Sequence, residues 1–282
     1  MTRLVNTIAE MRAAVADLRA EGRRVAHVPT MGALHAGHLA LIARARELAD
    51  VVVVSVFVNP LQFGPGEDFE RYPRTLDADR AALEGAGVDL VFAPPVSEMY
   101  PDGPAQVTVS PGPAGELFEG AVRPGHFAGV LTVVAKLLAI VAPDVAVFGQ
   151  KDGQQAFLVQ RMVRDLNIPV VIDVAPTVRE GDGLALSSRN RYLDAGNRAL
   201  AAAMPAALAA ARSAAPRGGG DAVTAARAAL EATPKVRIDY VAAVDPATFQ
   251  PVDDRYRGPA LVLLAARFGG TRLIDNGTVQ LG

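Results

Sequence analysis

The chain contains no cysteine. That excludes disulfides and thiolate metal sites and fits a reducing compartment. Lysine is scarce: of 28 basic residues only Lys136, Lys151 and Lys235 are lysine, the rest being arginine. Histidine is scarcer than most polar residues, with four in 282 positions. Charge of one sign is missing too. The formal net charge is −2, so nothing global attracts nucleic acid or an anionic membrane. No apolar run nears the roughly 20 residues that span a bilayer as a helix. The opening stretch MTRLVNTIAEMRAAVADLRAEG is charged throughout, unlike a signal peptide. These absences lead to the expectation of a soluble, cytoplasmic protein without nucleic-acid or membrane partners.

What is present supports a large folded core. Half of the residues are hydrophobic, and 29.4 kDa is enough for one large domain or two modest ones. Thr7 followed by Glu10 reads as a capping box opening a helix to about Ala20. RVAHVPT (24–30) reads as a buried strand, 36–48 as a helix, and VVVVSVFV (51–58) as a strand covered on both faces. A Gly- and Pro-rich loop (59–74) precedes a helix at 75–85 and the short strand VDLVFAP, and 96–125 reads as irregular. Helix 126–141, strand DVAVFG, helix 153–166 and strand PVVIDVAP complete the alternation. Strands separated by helices give an α/β fold, a Rossmann-like doubly wound parallel sheet over 1–177. Two alanine-rich helices (195–214 and 221–232) and three strands then make a smaller α+β domain over 178–282, placed to act as a lid. Its last two strands join tightly at Gly269-Gly270.

Four loops carry candidate chemistry. PTMGALHAGHLALIARAR (29–46) sets His35 and His38 three apart between a strand and a helix, at the carboxyl edge of a parallel sheet, where ligands bind. An HxxH pair alone is more often one packed and one solvated ring. Here Gly32 and Gly37 allow close backbone approach, and the helix start offers unpaired N–H groups to an anion. Imidazoles there can donate to phosphate oxygens. Zinc is the weaker option, since no third ligand follows at useful spacing. VFGQKDGQQ (147–155) puts Lys151 at a second strand end, where a lysine can hold polyphosphate. LALSSRNRYL (184–193) offers Ser187, Ser188 and Arg189 to phosphate oxygens. FVNPLQFG places Asn59 and Gln62 after the apolar strand, neutral amides suited to hydroxyls and a carboxylate. Asp77 and Asp79 open the next helix, where they suit its dipole or, less well, a metal.

Taken together, these segments resemble a known family. PTMGALHAGH is similar to the nucleotide-binding motif of the HIGH-type nucleotidyltransferases, and LSSRN to its KMSKS-like partner. The ordered set PTMGALHxGH, FVNPxQF, YPRT, RPGHFAGVLTVVxKL, FGxKDxQQ, PTVRExDGLAxSSRN and RYL resembles the pantothenate synthetase (pantoate–β-alanine ligase) family. The resemblance runs from about residue 25 to the closing TRLIDN.

The resemblance implies condensation of D-pantoate with β-alanine, dependent on ATP and Mg²⁺, through a pantoyl-adenylate, with AMP and pyrophosphate released. It places Met31, Gly32, Ala33, Leu34, His35, Ala36, Gly37 and His38 at ATP, with His38 as proton donor and His35 as phosphate partner. It assigns Gly149, Gln150, Lys151 and Asp152 to the nucleotide, Lys151 reaching its phosphates. Val178 would present backbone to adenine, and Leu186, Ser187, Ser188 and Arg189 would clamp the triphosphate. Gln62 and Gln155 would hold pantoate, supported by Asn59 and Arg123. It also implies a homodimer, to which the run VVVVSVFV could contribute, although a buried central strand explains that run equally well. The chain departs from the common pattern at Gln150, Gly153 and Leu186, and Ala78 and Ala82 thin the acidic stretch after YPRT, so no residue is assigned to Mg²⁺. The rival readings are a nucleotidyltransferase that leaves the nucleotide on its product, and a non-catalytic nucleotide sensor.

Overall fold

The β-branched run at 51–56 lies inside a parallel sheet with a neighbour on each side, the place such composition demands. The computed structural model describes residues 2–282. The first elements in chain order are β1 (Arg3–Val5), α1 (Ile8–Ala20), β2 (Val25–Thr30), α2 (Ala36–Leu48), β3 (Val51–Val56), α3 (Leu76–Gly85) and β4 (Leu90–Phe92). The short helices α4 (Val96–Met99) and α5 (Glu119–Val122) follow, then α6 (His126–Val141), β5 (Val145–Gly149), α7 (Gly153–Asp165) and β6 (Val171–Ala175). The six strands form one sheet in the order β1-β4-β3-β2-β5-β6, all pairings parallel. The capping box is real: Thr7 Oγ1 accepts from Glu10 N–H at 3.2 Å, and the Glu10 carboxylate accepts from Thr7 N–H at 3.3 Å. The edge strand β1 is an addition to the sequence reading, since three residues carry no periodicity.

The chain crosses from one side of β2 to the other between β4 and β5. β2 pairs with β3 along its whole length, but with β5 only at Ala26–Val145 and His27–Ala146. Beyond those pairs the two strands run on to Thr30 and Gly149 without pairing to each other. The sheet therefore opens at its carboxyl edge, the switch point of a doubly wound fold. One face of the sheet packs Ala26, Val28, Val52, Val54, Val145 and Val147 against Ile42 and Ala45 of α2 and Leu83 of α3. Each large side chain so buried contributes roughly 1.5–3 kcal/mol.

Two compact units are present, residues 1–149 with 158–175, and residues 150–157 with 176–282. The segment 150–157, read from sequence as part of the first domain, thus groups with the second. That unit contains α8 (Ala195–Leu200), α9 (Ala203–Ala214), α10 (Gly219–Glu231) and an antiparallel sheet of β7 (Val236–Val244), β8 (Gly258–Phe268) and β9 (Thr271–Leu281). Its core joins Met204, Leu208, Leu230, Val262, Leu264 and Phe268. β8 and β9 turn at Gly269, whose φ of 60° suits a two-residue hairpin loop.

The helix expected over 195–214 is two helices. Pro205 is the cause: inside one continuous helix it would lack an N–H for the Ala201 carbonyl and crowd it. Instead Ala201 accepts from Met204 N–H at 3.0 Å, and α9 restarts with the proline in its first turn.

Candidate active site

The pair of histidines is explained first by backbone chemistry. His35 is the N-cap of α2, with extended φ −145° and ψ 174°. Its Nδ1 accepts from Gly37 N–H at 3.1 Å, and His38 Nδ1 accepts from His35 N–H at 3.3 Å. The two rings form a reciprocal cap, their centroids 4.1 Å apart. A ring nitrogen that accepts carries no proton, so each ring is neutral with its hydrogen on Nε2.

Most N–H groups of the histidine loop and of the first turn of α2 are already engaged within the chain. Gly32 N–H donates to Thr30 Oγ1 at 3.2 Å, Ala33 N–H to Asp79 Oδ2 at 3.0 Å, and Leu34 N–H to Asp79 Oδ1 at 2.8 Å. His38 and Leu39 N–H donate to the His35 carbonyl at 2.8 and 3.2 Å. Successive amides converging on one carboxylate make an anion nest filled from within. Asp79 is buried and also accepts from Thr75 Oγ1 at 3.1 Å. Gly32, at φ +78°, completes the fit: a Cβ there would lie 2.9 Å from Asp79 Oδ2 and 3.0 Å from Val56 Cγ1. Asp79, read from sequence as a dipole or metal residue, is the clamp of the histidine loop.

Asn59 and Gln62 follow β3 in a turn that α6 supports. Buried Asn59 donates through Nδ2 to the Gly129 carbonyl at 3.1 Å and Gln62 Oε1 at 3.3 Å. Its Oδ1 accepts from the Tyr100 hydroxyl at 2.8 Å, a phenol that burial pushes up to about 12. Gln62 Nε2 donates to Met31 Sδ at 3.0 Å, tying the turn to the histidine loop. Gly129 lets α6 touch this turn, since a Cβ there would lie 2.1 Å from the Leu61 carbonyl oxygen.

The Arg123 fork holds both Glu67 oxygens at 2.7 and 2.6 Å and also donates to the Gln62 carbonyl at 3.3 Å. Burial opposes ionisation of Glu67, yet Arg123 holds its carboxyl below the usual range. His126 donates from Nδ1 to the same Gln62 carbonyl at 2.9 Å and accepts from Arg123 at Nε2 at 3.0 Å. Burial first, and Arg123 second, push this imidazole down to about 4, and the Gln62 carbonyl and Arg123 set the tautomer of the neutral ring. The RPGH segment therefore holds the backbone of Gln62.

The second unit carries the remaining candidates. Gln150–Asp152 form one 3-10 turn after Gly149, with Lys151 Nζ 3.7 Å from Asp152 Oδ1. Gln155 is half-buried in the first turn of α7, beside buried Gln154. Asn276 of β9 donates from Nδ2 to the Gln150 and Lys151 carbonyls at 2.8 and 2.9 Å. Residues 178–186 fold back on themselves: Leu186 N–H donates to the Val178 carbonyl at 3.0 Å, and Gly183 turns at φ +88°. Ser187 Oγ accepts from Arg189 N–H at 3.2 Å and caps the 3-10 turn Ser188–Tyr192. Asn190 ties that turn to Glu180 Oε1 at 2.8 Å and the Ala185 carbonyl at 3.1 Å. His35, His38, Asn59, Gln62 and Arg123 thus stand on the first unit, and Gln150–Asp152, Gln155, Val178 and Leu186–Arg189 on the second.

The family model described as pantoate-beta-alanine ligase matches residues 3–278. The chain belongs to that family. It is 61% identical over 262 residues to a pantothenate synthetase of Leifsonia xyli subsp. xyli, covering 93% of this chain and 91% of the relative. It is 60% identical over 278 residues to that of Acidothermus cellulolyticus, covering 97% and 90%. A crystal structure of pantothenate synthetase from Thermus thermophilus superposes with a TM-score of 0.91 at 54% identity, covering 98% of both chains. That of the Francisella tularensis ligase, complexed with beta-gamma ATP and beta-alanine, gives 0.82 at 33% identity, covering 98% of this chain and 97% of that one. These ligases share the parallel sheet and the smaller antiparallel unit described above.

Among the described residues no group of three or more His, Asp or Glu side chains is placed to hold a metal ion. Asp79, the buried acid after YPRT, has its carboxylate engaged by two backbone amides and a hydroxyl. Sequence reading missed the clamp by Asp79 and the cradle by Asn276. The signals were present, an aspartate just after YPRT and the closing TRLIDN, but neither segment says what it touches.

Proposed function

We propose that the chain joins D-pantoate to β-alanine using ATP, in two steps. A carboxylate does not accept an amine at neutral pH, so one oxygen must first become a leaving group. A pantoate carboxylate oxygen attacks the α-phosphorus of ATP, the bond from that phosphorus to the β-phosphate oxygen breaks, and pyrophosphate leaves with the electron pair. The β-alanine nitrogen then attacks the acyl carbon of the pantoyl-adenylate, AMP leaves, and the amine proton passes to solvent.

The observation that carries this reading is the reciprocal histidine cap. It makes His35 and His38 neutral Nε2–H donors, suited to phosphate oxygens as charge develops on the leaving pyrophosphate. His38 serves as a hydrogen-bond donor to the leaving group and His35 as a phosphate partner, with Lys151 and Arg189 adding positive charge. Met31 to His38, Gly149 to Asp152, Val178 and Leu186 to Arg189 take the nucleotide. Gln62 and Gln155 hold pantoate as neutral amides, with Asn59 and Arg123 fixing the backbone around Gln62. Mg²⁺ would accompany the nucleotide and neutralise charge on its phosphates.

The reading extends to a homodimer in the cytoplasm. Residues 51–54 are buried by the sheet itself, so the dimer rests on family likeness and not on that run. No helix among the described residues is long and apolar enough to cross a membrane. The test is isotope exchange. Labelled pyrophosphate should enter ATP when pantoate is present and β-alanine is absent, and should not when pantoate is omitted. Release of ADP on adding β-alanine would overturn the adenylate route.

A further inference from the structure

The closing motif TRLIDN has no part in the chemistry above, yet it touches the turn that carries Lys151. We infer that Asn276 is a positioning residue for Lys151, and that the side-chain amide of Gln150 completes the cradle. This rests on the reading that Lys151 acts on the phosphates of ATP.

The carboxamide of Asn276 is buried, and three of its bonding positions are filled by one turn. Both hydrogens of Nδ2 go to successive carbonyls, those of Gln150 and Lys151, at 2.8 and 2.9 Å. Its Oδ1 accepts from Gln150 Nε2 at 3.2 Å. Two carbonyls side by side demand an NH₂ group opposite them, which fixes the orientation of the amide and leaves oxygen facing Gln150. Gly153 permits the approach, since a Cβ there would lie 3.1 Å from Asn276 Nδ2 and 3.2 Å from Leu261 Cδ2.

The backbone of Asn276 is itself held. Its N–H donates to Asp275 Oδ1 at 2.8 Å, and its carbonyl accepts from Arg179 at 3.3 Å. Asp275, also buried, takes the Arg179 fork at 2.7 and 3.0 Å. Three distant motifs, PTVRE, IDN and GQKD, are thus one hydrogen-bonded assembly ending on the two carbonyls that set where the lysine stem begins. Gln150 supplies the third bond of the cradle through its own side chain. In this chain its amide donates to Asn276 Oδ1, whereas a glutamate would set an anionic oxygen against another acceptor.

The test separates positioning from plain structural support. Initial-rate pyrophosphate–ATP exchange is measured for wild type, Asn276→Ala, the isosteric Asn276→Asp, Gln150→Glu, Lys151→Ala and the Asn276→Ala/Lys151→Ala double variant, with melting temperatures for each. Asn276→Ala and Asn276→Asp should each lower kcat/KM for ATP by about tenfold to a hundredfold, the scale of a misplaced group. Gln150→Glu, which leaves β9 untouched, should lower it by about threefold to tenfold. In the Lys151→Ala background Asn276→Ala should add less than about twofold, while its effect on melting temperature stays the same in both backgrounds. A full multiplicative loss in that background would overturn the inference, as would wild-type exchange by Asn276→Asp. Near-native exchange by Lys151→Ala would overturn the role given to Lys151, and the inference with it.

Discussion

The histidine pair caps α2 and is proposed to donate to phosphate, and substitutions can pull the two roles apart. His35 caps α2 through Nδ1, whereas the proposed phosphate donor is Nε2–H. Asparagine can supply a short acceptor to Gly37 N–H, so His35→Asn should keep the cap, and His38→Gln should keep an acceptor for His35 N–H. Both lose the distal donor. We expect His35→Asn to unfold within about 0.5 kcal/mol of wild type, while His35→Ala loses about 1 kcal/mol for the missing cap. Pyrophosphate exchange should fall about a hundredfold or more in His35→Asn, His35→Ala and His38→Gln alike, the scale of one donor aimed at developing charge. Urea melts and initial-rate exchange on the same preparations give both axes. Near-native exchange by His35→Asn would refute the donor role, and equal stability of His35→Asn and His35→Ala would refute the cap.

Acid should weaken the fold earlier than carboxylate titration alone would. Burial pushes His27 down to about 3 and His126 down to about 4, from an ordinary 6.5, so between pH 6.5 and about 4 the unfolded chain binds protons that the folded chain refuses. Their stabilisation is complete above pH 6.5 and falls with acid, with a slope approaching about 2.7 kcal/mol per pH unit for the two groups. His126→Asn should roughly halve that slope in urea melts, and stability that is flat across the window would refute it. Gly32→Ala meets both a φ of +78° and a carboxylate oxygen at 2.9 Å, so it should destabilise by about 1–3 kcal/mol and depress exchange further than stability. A wild-type melt and wild-type exchange would remove the clamp from the account.

The sheet was legible because β-branched runs and helical stretches alternate over most of the first 177 residues. Thr7 and Glu10, and the helix at 126–141, fall where their residues put them. Pro205 was hidden by its alanine-rich surroundings, whose high helix propensity suggested one long helix. Four candidate loops stood out in the sequence, but not the contacts that shape them. Histidine is not a preferred cap, so nothing in HAGH announced that the rings close on the backbone. The contacts that shape the loops are also far apart in sequence: Asp79 lies 46 and 45 residues from Ala33 and Leu34. Asn276 lies 126 and 125 from Gln150 and Lys151. Periodicity and local motifs report on neighbours within a few positions, and these pairings become readable only when the fold is known.

That last separation has a consequence for the order in which the chain acquires its properties. At synthesis rates of 5–20 residues per second, about 6 to 25 seconds pass between the making of Gln150 and of the asparagine that grips it. Through that interval the growing chain already contains His35, His38 and Lys151, and later Ser187–Arg189, without the carboxamide bonds that fix the lysine turn. A nascent or clipped chain ending before β9 would carry every group proposed to meet phosphate and still hold one of them loosely. The parallel sheet can pair while translation continues, but the geometry asked of Lys151 is among the last to form.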